Sequence, residues 1–77
     1  LIAQSISVYP TITHDWLTIS AKNDTYSYAI YDLSGQRMVT STLASKATID
    51  VSFYENGIYF ISFFKDGQTT TKKFFKN

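Results

Sequence analysis

At 77 residues the chain has room for one domain, and with no cysteine it has neither a disulfide nor a cysteine-based zinc site to hold it together. A net charge of +1 excludes the electrostatic footprint of a nucleic-acid binder, and no apolar run is long enough for a membrane-spanning helix. Aromatic residues make up 17% of the chain, so large rings must supply much of the core.

Two-residue alternation of apolar and polar side chains runs through most of the sequence and predicts strands. Ile6 and Val8 share one parity and lead into Tyr9-Pro10. Pro10 lacks an N–H and suits a strand end. Thr11 to Asp15 reads as a loop. Leu17 and Ile19 open the next strand. Asn23-Asp24 is a good turn pair, so a turn is expected over Ala21 to Thr25. Tyr26, Tyr28 and Ile30 alternate up to the Asp32-Leu33-Ser34-Gly35 turn. Met38 to Thr42 returns, and Leu43 to Ala47 is the only window that suits a helical turn. Ile49 and Val51 alternate again, and Phe53 to Gly57 connects to the strand Ile58 to Phe64. Asp66-Gly67 then closes a hairpin with Gln68 to Lys76, because that pair accepts the positive φ of a tight hairpin turn.

About seven short strands punctuated by turns predict an all-β fold, a small Ig-like antiparallel β-sandwich. Ile6, Val8, Leu17, Ile19, Tyr28, Ile30, Val39, Ile49, Val51, Tyr59, Ile61 and Phe63 are expected inside. Trp16, Tyr26, Tyr31, Phe60 and Phe75 fall on the outward parity. Phe74 and Phe75 have opposite parity, so only one can enter the core. Gly57 is expected at positive φ.

Catalysis finds little support. His14 is the single histidine, and its neighbour Asp15 projects the other way on an extended segment. The three glycines, Gly35, Gly57 and Gly67, sit singly at turns, so no phosphate-cradling loop is present. Asp24, Asp32, Asp50 and Asp66 lack calcium-loop spacing. No catalytic, cofactor-binding or metal-binding set is assigned. The outward aromatics suit protein docking better than a sugar-stacking platform, since aromatics are enriched at interfaces. Lys72, Lys73 and Lys76 serve equally as edge protection or as a surface read by a partner.

The order SVYP, LTIS, IYDLSGQRMV, IDVSFYENGIYFISFF, DGQ and TKKFFK resembles the C-terminal sorting domains (type A) of Bacteroidetes proteins exported by the type IX secretion system. The likeness spans Ser5 to Asn77. Its first box, usually Tyr-Pro-Asn-Pro, is Tyr9-Pro10-Thr11-Ile12 here and lacks the second proline. Its Asp-x-x-Gly turn falls on Asp32 to Gly35, its Gly-x-Tyr element on Gly57 to Tyr59, and its basic-aromatic strand on Lys72 to Lys76. The resemblance implies a non-catalytic sorting signal, residues 1–77, cut from a larger secreted protein that opens upstream of Leu1-Ile2. It implies a covalently linked N-terminal cargo, translocon and shuttle proteins of the type IX system, and a sortase-like cysteine peptidase cleaving near or upstream of Leu1. It places the domain in the periplasm in transit and then at the outer-membrane surface or outside the cell. Lys72, Lys73, Phe74, Phe75 and Lys76 are the expected recognition residues; Tyr9, Pro10, Asp32, Gly35, Gly57 and Tyr59 are the expected scaffold. The alternative is a carbohydrate-binding or adhesion sandwich of an extracellular enzyme, built on the outward aromatics.

Overall fold

The computed structural model describes residues 6–77, apart from the side chains of residues 22–24; expectations on Leu1 to Ser5 lie outside the described residues. Six strands follow one another: β1 (Ile6–Tyr9), β2 (Ile12–Thr13), β3 (Trp16–Asp32), β4 (Arg37–Asp50), β5 (Gly57–Lys65) and β6 (Gln68–Lys76). Hydrogen bonds join them into one continuous sheet. β4 lies along one edge of β3; β1 and then β5 lie along the other.

The sheet folds over on itself where β3 and β4 bend. Ser20 faces Lys46 but Thr25 faces Ala44, so β3 carries extra residues at that point. Opposite them, Ser45 takes a φ of 83°, a left-handed conformation uncommon for a residue with a Cβ. Extra residues on one strand kink the pair and increase its twist. They also switch the inward parity, from Leu17, Ile19 and Ala21 before the bend to Tyr26, Tyr28 and Ile30 after it. The result is two layers. One holds β1, the start of β3 and the end of β4. The other holds the start of β4, the end of β3, β5, β6 and β2. Their inner faces share a single apolar cluster, which makes the molecule a small Ig-like sandwich.

Each residue expected inside is buried or packed against that cluster. Other expectations are corrected. The Asn23-Asp24 region does not reverse the chain; it lies within β3, where the turn-forming stretch becomes a bend. Leu43 to Ala47 is strand rather than helical turn, and Leu43 is fully buried opposite Tyr26. Tyr26 is itself buried, because it shares parity with Tyr28 and Ile30, and it meets Phe63 edge-on. The Thr11 to Asp15 loop contains β2, which pairs parallel to β6 and so departs from an all-antiparallel sheet. The Asp66-Gly67 hairpin forms as expected. Both residues have positive φ, 51° and 77°, and Lys65 pairs with Gln68 across them. That combination is the two-residue turn whose twist matches the flanking strands.

Candidate functional site

Four sequence-distant stretches meet at one end of the five-stranded layer. Across the inner face, Asp32 is opposite Tyr59 and Tyr59 opposite Phe74. Across the outer face, Ile58 is opposite Phe75 and Phe75 opposite Ile12. The Asp32 to Gly35 turn, the Gly57 to Tyr59 element, the end of β6 and the stretch after Pro10 are therefore neighbours.

The turn is built on Asp32. Its Oδ1 accepts from the Ser34 N–H (3.0 Å), the Ser34 hydroxyl (2.8 Å) and the Gln36 N–H (2.9 Å). The Gly35 N–H donates to the Asp32 carbonyl at 3.0 Å, and Gly35 adopts a φ of 90° that favours glycine. These donors, the Ser34 hydroxyl foremost, hold the Asp32 carboxyl below its ordinary value. The Ser52 hydroxyl and N–H do the same for Asp50. A lowered carboxyl value in the folded state stabilises above the unfolded value, and that stabilisation disappears as the pH falls through the folded one. The melting temperature should therefore drop on acidification through the carboxylate range. Thermal scans of Asp32→Asn/Asp50→Asn should show a flatter acid limb.

Gly57 starts β5 at a φ of 149°, and a Cβ there would meet nothing within 4 Å. Space is open, so the demand for glycine is purely one of backbone conformation. Gly57→Val should destabilise the domain by about 1–3 kcal/mol in urea titrations, and an unchanged midpoint would refute that reading of the turn. Two residues on, the Tyr59 hydroxyl donates to the Glu55 carbonyl at 2.6 Å and its ring stacks on Phe74 at 5.4 Å. Burial raises the Tyr59 hydroxyl above its ordinary value, with the Glu55 and Asp32 charges adding to the effect. Residues of the Asp32 turn and of Glu55 to Tyr59 line an open cleft of about 300 Å³ between them.

The end of β6 is clasped rather than free. The Phe75 N–H donates to the Thr11 carbonyl (2.7 Å) and the Asn77 N–H to the Thr13 carbonyl (3.0 Å). His14 Nδ1 donates to the Asn77 carbonyl at 3.0 Å, so the single histidine acts as a tie on this strand. Thr13 is buried opposite Lys76 and donates its hydroxyl to the Trp16 carbonyl. Tyr9, which precedes this clasp, is 44% exposed, and the Tyr9–Pro10 peptide is cis.

The five expected recognition residues are thus divided. Phe74 is fully buried, Lys76 is buried and Lys72 half-buried. Lys73 and Phe75 are exposed on the outer face, with the ammonium of Lys73 6.0 Å from the Phe75 ring centre. The expected outward aromatics are divided as well. Trp16 is exposed on the three-stranded layer, Tyr26 is in the core, and Tyr31, Phe60 and Phe75 share the outer face of the other layer. A stacking platform that includes Trp16 therefore does not form. Ile12 and Ile58 also belong to this outer face. They are not evident in the sequence because Ile12 stands in a loop-like stretch and Ile58 directly beside the core residue Tyr59. Among the described residues no three of His, Cys, Asp or Glu converge on a metal-sized site, and no helix is long and apolar enough to cross a membrane.

No curated protein matches the chain significantly. The sequence model of one family, described as the secretion system C-terminal sorting domain, matches residues 7–77. That match spans all four stretches that converge at the clasped end, and the chain belongs to this family of type IX secretion sorting domains.

Proposed function

We propose that the domain is a folded, non-catalytic address label covalently attached to an N-terminal cargo. Family membership gives it a sorting role in type IX secretion and export toward the cell surface or the extracellular space. The observation that carries the finer reading is the convergence of the family's separated motifs. Asp32, Gly35, Gly57 and Tyr59 build one end of the sandwich, and that end holds the last strand in a fixed, clasped geometry.

In this reading a separate signal takes the cargo across the inner membrane. Shuttle and translocon proteins then recognise the folded tail in the periplasm and at the outer membrane. A sortase-like cysteine peptidase cuts upstream of the domain, and the cargo is either attached to anionic lipopolysaccharide or released. Within Lys72 to Lys76, the exposed Lys73 and Phe75 and the half-buried Lys72 are available to a partner; Phe74 and Lys76 keep the strand in place. A fluorescent reporter fused upstream of the domain and supplied with an N-terminal export signal tests the assignment. Surface or medium delivery is expected in a type IX-competent host and periplasmic retention in a host lacking the translocon. Equal delivery in both hosts would remove the sorting role.

A further inference from the structure

We infer that the outer face at the clasped end of the five-stranded layer docks against a folded protein partner presenting apolar side chains ringed by carboxylates. The inference rests on the sorting role and names the surface that the role uses. It starts from cross-strand register. Ile12, Phe75 and Ile58 form one row, and Lys73, Phe60, Tyr31 and Arg37 form the next. Ile12 is 59% exposed and Phe75 40%, while Phe60, Ile58 and Tyr31 are half-buried side by side. In a small domain whose core cluster holds fourteen hydrophobic residues among those described, five large apolar side chains on adjacent positions outside it are a concentrated patch. Ile12 stands on a strand of only two residues and gives the core nothing.

Charge decides what covers the patch. Among the described residues, the outward positions of this layer carry Lys73 and Arg37 but no aspartate or glutamate, the remainder being Ser, Thr, Ala and apolar residues. Lys73 leans over Phe75, and the Ser62 and Thr71 hydroxyls pair with each other at 3.2 Å. Cations beside an aromatic cluster favour a surface of opposite sign, which speeds encounter and fixes orientation. A sugar is disfavoured because, although Phe75, Phe60 and Tyr31 supply rings, the aliphatic Ile12 and Ile58 flank Phe75 and few polar groups converge to orient a sugar ring. A second copy of the same face is disfavoured because it would set Lys73 and Arg37 against their own kind.

The test uses the reporter fusion in the type IX-competent host, with the 77-residue chain measured in parallel. Arg37→Glu/Lys73→Glu leaves every core contact intact, and Ile12→Ser/Phe60→Ser removes the apolar centre. The charge-reversed variant should melt within a few degrees of the parent, the serine variant should stay cooperatively folded with a lower midpoint because Phe60 is half-buried, and both should lower delivery roughly tenfold or more. Arg37→Ala/Lys73→Ala should lower it less than the reversal does. Trp16→Ser, on the opposite layer, should be delivered as the parent is. Parental delivery of the charge-reversed variant would overturn the inference while leaving the sorting role standing; failure of the parent itself would take both. Dimerisation of the parent chain in sedimentation, lost on charge reversal or in Ile12→Ser/Phe60→Ser, would assign the face to self-association instead. Glycan-array binding lost on Phe60→Ser would assign it to a sugar, and either result overturns the proposal.

Discussion

Phe74→Ala is expected to unfold the domain, whereas Phe75→Ala, one residue away, should leave it folded. Phe74 has no exposed surface and stacks on Tyr59, with ring centres 5.4 Å apart and planes 17° from parallel. Truncating a buried phenylalanine costs about 3–5 kcal/mol through lost burial and the cavity left behind. A domain of this length has a total stability of only about 4–12 kcal/mol. The loss is therefore a large share of the whole, and urea titration should show the midpoint collapse or vanish. Phe75 is 40% exposed on the outer face, so its truncation should cost about 1 kcal/mol or less. If the two variants had equal midpoints, the inward and outward assignment of the last strand would be wrong.

Deleting residues 72–77 should be more damaging still. β5 loses its partner over Gly57 to Ile61, Tyr59 loses its stacking ring, and the Thr11 and Thr13 carbonyls lose their donors. Circular dichroism should show no cooperative transition, and a fused cargo should fail to reach the surface. A cooperative melt near that of the parent would show that β6 is dispensable to the fold. Because the deletion removes scaffold together with the proposed recognition residues, its loss of delivery says little about contact with a partner. Lys73→Ala/Phe75→Ala is the informative variant, since both side chains are exposed and both point away from the core.

The legible parts of the fold were those written locally. Asp66-Gly67 announces its turn because positive φ at both positions is a property of two adjacent residues. Alternation placed Ile6, Leu17, Ile19, Ile30, Ile61 and Phe63 inside for the same reason. The misreadings arise where a distant partner decides. Asn23-Asp24 has turn chemistry, yet β4 continues alongside β3 and converts the turn into a bend. The choice between Phe74 and Phe75 depends on register with β5, and the clasp depends on β2 lying beside β6, with His14 and Asn77 separated by 63 residues. Of the site, the scaffold glycines and Asp32 were legible as turn residues. The docking face was only partly so, because Ile12 and Ile58 acquire their meaning from the rows that pairing creates.

The bend that folds the sheet over has a further consequence for colloidal behaviour. The outer edge of β4 has no strand beside it among the described residues, and over fourteen residues it would offer a long row of open amides to any other chain. Long, flat edges of that kind template edge-to-edge stacking and fibre growth. Ser45, with its φ of 83°, interrupts the row near its middle, and exposed Lys46 adds a charge at the break. Neither half offers a straight template of the full strand length. The same kink that creates two layers therefore also discourages the domain from polymerising through its longest free edge.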